Sequence, residues 1–225
     1  MMLLVIIEFY KSLAPSIKST IWITLILIVI LVLLRIKMRN YSADKPAKGI
    51  ILICESFVKM MNGFTKAMLG KQWKALAPYF ITLATFLFVA NISGLFGFTP
   101  PTVSLSVTFS LGLVTFLLIQ GFGIKTNGLK SHIKDLCSPI LMTPMNIIGE
   151  VAVPVSLAIR LFGNILSGSI LTILIYSFLG WASVIITPPI HAIFDVVFGF
   201  IQTFIFVMLT AVNIGNKFSE SEFEE

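Results

Sequence analysis

Apolar residues in this chain come in unbroken runs separated by basic stretches, without the alternation of a half-buried strand. The first run, "TIWITLILIVILVLL" from Thr20 to Leu34, is followed at once by "RIKMR". It predicts a membrane span over 20–34, preceded by an outer segment, 1–19. Residues 35–77 form a polar loop in which Arg35, Lys37, Arg39, Lys45, Lys48, Lys59, Lys66, Lys71 and Lys74 face only Asp44 and Glu55. Residues 78–124 then carry no charge and divide at "GLFGFTPPT", where glycines and Pro100-Pro101 break a helix. This is a membrane hairpin with spans near 79–96 and 103–123. A second basic loop, 125–137, holds Lys125, Lys130 and Lys134 against Asp135. From 138 to 216 the run is apolar except for Glu150, Arg160, His191 and Asp195, and Gly180-Trp181 splits it in two. An acidic tail, 217–225, ends the chain and is expected to be soluble.

Each half of the 138–216 run exceeds thirty residues. As a helix, each would pass about 45 Å, against a hydrocarbon core of about 30 Å. A long helical hairpin is expected, strongly tilted or bent, with Pro139, Pro144, Pro154 and Pro188-Pro189 offering the bends. The expected fold is therefore an all-α polytopic membrane protein of about five membrane helices, the C-terminal pair long and tilted. Composition agrees: of 225 residues, 57% are hydrophobic and 12% charged, against about 25% charged in soluble domains.

Charge orients the chain. Basic loops stay on the cytoplasmic or matrix side, which places 35–77 and 125–137 inside, the N-terminus outside and the C-terminus inside. Within the first loop, Ile50 to Met61 is apolar except for Glu55 and Lys59 at i, i+4, a spacing that suits a surface helix as well as a solvated loop. A signal peptide carries its basic residues before the apolar run, not after it, so the first span is expected to be retained. With no Arg- and Ser-rich presequence, a bacterial plasma membrane is expected, or an organelle membrane if the chain is organelle-encoded. Cys54 and Cys137 have no metal-type spacing, and His132 and His191 are too few for a histidine metal site. No nucleotide-binding or zinc motif occurs; no cofactor, metal or nucleic acid is expected.

The costly residue is Arg160, in "PVSLAIRLFGNILSGSI" from Pro154 to Ile170. An arginine at mid-bilayer costs about 2.5–3.5 kcal/mol on insertion scales. Arg160 and Asn164 share a helix face. On the next segment His191, Asp195 and Gln202 fall within about 40° at 100° per residue. A fold near Gly180 brings Arg160 level with residue 201, beside Gln202, and Asn164 within a turn of Asp195. Two readings follow. Arg160 is neutralised by Asp195 or Glu150 and holds helices in register, or it belongs to an ion pathway. A guanidinium keeps its proton, but it attracts carboxylates and bars cations from its own position, while acids and histidines relay.

"RLFGN" at 160–164, preceded by "NIIGEVAVPVSLAI", followed by "GFIQTFIFVMLT" at 199–210 and preceded in the chain by "FVANISGLFGFTPPT" at 88–102, closely resembles subunit a of the rotary (F-type) ATP synthase, over at least residues 79–215. The resemblance implies a proton-translocating stator that faces a ring of c subunits and makes no bond itself. Arg160 would match the essential arginine separating two half-channels. Asn164 and Gln202 would line that region, and Asp195 would sit where relatives carry a histidine or an acid. Peripheral-stalk b-type subunits, and through the stalks the soluble ATPase sector, would be partners. Where many relatives carry an acid nine places after the arginine, Ser169 stands here. We expect His191 and Asp195 together to replace that acid, with an interfacial His191 of no role as the alternative, and Glu150 to line a water-filled approach. Rival functions are an independent channel or transporter with a midplane site, and an intramembrane enzyme using His191 with Ser167 or Ser169.

Overall fold

The computed structural model describes residues 12–39, 49–130, 137 and 140–218, without the side chains of Ile140, His191 and Phe194. Expectations for His132, Pro139 and the tail beyond residue 218 lie outside the described residues. Every regular element described is helical, so the chain is an all-α polytopic membrane protein. Helix α1 is Pro15–Arg39, α2 is Ile50–Leu69, α3 is Trp73–Ile92, α4 is Leu105–Asn127 and α5 is Thr143–Leu179. After the turn Gly180–Ala182, α6 (Ser183–Ile193) passes through one π-helical turn, Phe194–Phe198, into α7 (Gly199–Gly215).

Four stretches are long and apolar enough to cross a membrane: Pro15–Arg39, Ile50–Phe96, Leu105–Asn127 and Thr143–Gly215, the last folded into a hairpin. Helix α1 is apolar on all sides, and only Ser16, Ser19 and Ile23 are buried. A helix apolar all round suits lipid rather than a protein core. Helix α2 carries the Glu55–Lys59 pair at 2.6 Å on an exposed face. It also runs two turns beyond the surface segment expected at 50–61. The extension follows from Met61, Thr65 and Leu69, a buried stripe at i, i+4 spacing that packs into the core.

That core collects Leu76, Phe80, Leu83 and Leu87 of α3, Ile119 of α4, Leu157 and Leu161 of α5, and Phe206, Val207, Ala211 and Ile214 of α7. Helices α4 and α5 meet where a Cβ on Gly112 would lie 2.7 Å from the Pro154 carbonyl oxygen. Small residues at such crossings let membrane helices approach closely. Helix α5 has 37 residues, about 55 Å at 1.5 Å per residue, so a core of about 30 Å must tilt it. Its helical path continues through Pro154.

Contacts sort the molecule into two ends. Met68 meets Gly215, Asn127 bonds to Lys217, and Glu150 reaches Lys217 at the end bearing the basic loops, the inner end by charge. Gly94, Pro100 and Asp195 meet at the opposite, outer end. Lys217 and Phe218, assigned from sequence to the acidic tail, are folded here. Phe218 is buried in the core, because an aromatic directly after the last helix can turn back onto it.

The Gly112 crossing is testable. Gly112→Val forces a side chain into the Pro154 carbonyl, and such overpacking costs about 1–3 kcal/mol. We expect a lower midpoint of thermal unfolding in detergent; an unchanged midpoint would show that the two helices do not meet there.

Candidate functional site

Among the described residues no acid neutralises Arg160. Arg160 is exposed on α5. Among the described residues the ion pairs are Lys59–Glu55 and Lys217–Glu150, and Arg160 belongs to neither. The reading in which Glu150 or Asp195 locks Arg160 therefore has no support in the structure. Beside it Ile159 is exposed, and further along α5 so are Leu166 and Ile170, apolar side chains suited to lipid tails or an apolar partner.

Nine residues beyond Arg160 and toward the outer end lies a cavity of about 300 Å³. Asn164 and Ser169 of α5 line it, with Asp195 and Gly199 from the following segment, Asn91 from α3, and Gly94, Gly97 and Pro100 from the connecting turn. Asp195 is half-buried, and its Oδ2 lies 3.1 Å from where a Cβ on Gly94 would be. A glycine at 94 is what leaves the carboxylate room. The wall is polar by construction. Asn91, 1% exposed, accepts a hydrogen bond from Thr102 Oγ1 at 3.3 Å and points its Nδ2 at Gly199 O and Thr203 Oγ1, at 3.4 and 3.5 Å. This ties the outer turn, α3 and α7 to one amide.

Asp195 itself sits in the π turn. Such turns insert one extra residue into a helix and recur at functional sites. The insertion also alters the angular alignment expected for Asp195 and Gln202, which assumed an uninterrupted α-helix. The structure puts Asp195 on the cavity wall, while Gln202, 6% exposed, lies outside that wall with its Nε2 buried and lacking a hydrogen-bond partner. For His191 the structure describes the helix but not the side chain. Ser169 and Ser167 donate to the carbonyls of Ile165 and Gly163 on their own helix, at 3.0 and 2.7 Å. The base that the enzyme reading requires, His191, has no described side chain.

Toward the inner end, ten residues before Arg160, Glu150 forms a second polar cluster. Gln120 Nε2 of α4 donates to Glu150 Oε2, and Lys217 Nζ donates to Oε1. Rise along α5 sets Glu150 about 15 Å from Arg160 on one side and Ser169 about 14 Å on the other. Sequence reasoning missed Asn91, Gln120 and Lys217. The two amides interrupt apolar runs and could have been flagged for that; Lys217 looked like the start of a solvated tail.

Residues 19–215 match the family described as ATP synthase A chain. The chain belongs to that family. It is 32% identical over 231 residues to ATP synthase subunit a of Mycoplasma pneumoniae, covering 89% of this chain and 78% of that one. To ATP synthase subunit a 1 of Pelobacter propionicus it is 30% identical over 229 residues, covering 97% and 98%. To the sodium ion specific ATP synthase subunit a of Propionigenium modestum it is 33% identical over 192 residues, covering 76% and 65%. Family membership makes this a membrane subunit of the ATP synthase complex.

Removing the Asn91 amide tests the outer network. Asn91→Ala leaves the buried Thr102 hydroxyl without its acceptor, a loss of about 1–3 kcal/mol. Calorimetry in detergent should show that loss; a wild-type melting curve would mean that the amide is not holding the outer turn.

Proposed function

We propose that this chain is the proton-conducting stator of the synthase membrane sector. Protons enter from the outer phase through the Asn91–Asn164–Ser169–Asp195 cavity, pass to carboxylates on a ring of c subunits, and leave past Glu150 to the inner phase. The observation that carries the reading is Arg160: an exposed, permanently charged group without an ion-pair partner among the described residues, midway along α5 between an outer cavity and an inner carboxylate.

The chemistry follows from charge. A guanidinium cannot relay a proton, so none passes directly from cavity to inner cluster. It attracts an ionised carboxylate and favours that acid's shedding its proton. A ring acid that has just released its proton inward is therefore held at Arg160 until it moves to the outer cavity. Asp195 is the relay group in that cavity, and Ser169 and Asn164 carry the hydrogen-bonded path beside it. His191 completes the outer relay with Asp195, and Gln202 supports the polar stretch near Arg160. The ring, b-type stalk subunits and, through the stalks, the soluble ATPase sector are the partners this reading requires. The membrane is the bacterial plasma membrane, in keeping with the bacterial relatives. A second reading, sodium coupling, draws on the sodium ion specific relative; sodium- and proton-driven synthesis in the same vesicles separate the two.

Arg160→Ala should reduce ATP synthesis and ATP-driven pumping to background while the complex still assembles with its ring. Retained coupled synthesis in that variant would overturn the proposal. Asp195→Asn and His191→Ala should each slow proton-driven synthesis by about tenfold or more, since positioned proton-transfer groups contribute about 10²–10⁴-fold. A His191→Ala enzyme at full rate would remove His191 from the relay.

A further inference from the structure

The inner cluster holds a residue that neither the family resemblance nor the proposed pathway uses. Lys217 follows α7 by two residues and is fixed from several sides. Its N–H donates to Ile214 O at 3.0 Å, its carbonyl accepts from Asn127 Nδ2 at 2.7 Å, and its neighbour Phe218 is buried in the core. The ammonium reaches across to Glu150 Oε1, while Gln120 takes the other oxygen. Burial separates this pair from the surface pair on α2. The Lys217 and Glu150 side chains are 22% and 19% exposed, against 74% and 41% for Lys59 and Glu55. Water and salt screen the exposed pair far more than the enclosed one.

From this arrangement we infer that Lys217 is a tethered cation gating the inner end of the pathway. The inference rests on the reading that ions leave past Glu150. A carboxylate with an ammonium on one oxygen and an amide donor on the other offers a passing cation neither a free ligand nor a net charge. Lysine suits a gate better than arginine suits one, being a compact charge on a flexible four-carbon stem that can swing aside and return. The anchoring of its backbone by Asn127 sets the position to which it returns. With the ammonium withdrawn, the site becomes a net-negative oxygen cluster facing the inner phase.

The test measures passive proton flux, with sodium flux in a parallel arm, through the membrane sector of the assembled complex after the soluble sector is stripped from the vesicles. Ring co-purification confirms assembly. Lys217→Gln should raise flux severalfold, and Lys217→Arg, which keeps the charge, should stay near wild type. Adding Glu150→Gln to Lys217→Gln should abolish the rise. A merely structural lysine would lower assembly and never raise flux. Should Lys217→Gln fail to assemble, Asn127→Ala, which removes only the anchor of the lysine's carbonyl, should give a smaller rise. Unchanged or lower flux in an assembled Lys217→Gln or Asn127→Ala sector overturns the gate. If Arg160→Ala has meanwhile abolished coupled transport, the pathway reading survives that result.

Discussion

A charge that cannot be shed sits on the surface of a membrane helix, and the rest of the molecule is arranged around it. Arg160 faces outward from α5 with apolar neighbours and no counter-charge among the described residues. Left to lipid, such a group is costly, and a helix that needed only stability would carry a leucine there. The described residues supply no compensating charge. In the proposed reading it is the ionised acid of a rotating neighbour, present only when that acid has given up its proton. The same requirement explains why the chain's own acids are kept elsewhere: Glu150 is held by Gln120 and Lys217, and Asp195 is housed against Gly94. An acid able to reach Arg160 permanently would silence it.

Packing sets those distances. Helix α5 crosses α4 at Gly112 and Pro154 with no side chain between them. That contact lies between Glu150 and Arg160 and holds α4, which carries Gln120, against α5. At the outer end Asn91 links the 93–104 connection to α7 through Thr102, Thr203 and Gly199, so the cavity wall is cross-braced by hydrogen bonds in a region where apolar packing alone would slide. Between them, Arg160 is displayed on a rigid rod with polar groups at each end.

Several features were legible from residues alone because they depend on local composition. The span of α1 followed from fifteen apolar residues ending in a basic cluster, and the break after α3 followed from "GLFGFTPP". The turn at Gly180 was marked by a glycine, which takes φ 49° there. Arg160 stood out because a charge within an apolar run has few innocent explanations. The alignment of Asp195 with Gln202 was misjudged for an identifiable reason: a π turn depends on how a strained segment after Pro188-Pro189 settles against its neighbours, and an ideal helical wheel contains no such term.

The sequence by itself thus determined that the chain lies in a membrane and marked some of the polar residues that interrupt its apolar runs, because lipid penalises every unsatisfied polar group wherever it occurs in the chain. Only the tertiary structure decided which of those residues meet. That Glu150 would be claimed by Lys217, that Asn91 and Gly94 would furnish the wall around Asp195, and that neither acid would pair with Arg160 are consequences of helices from distant parts of the chain crossing at particular angles. Those angles depend on side chains interlocking across helices, which no single segment encodes.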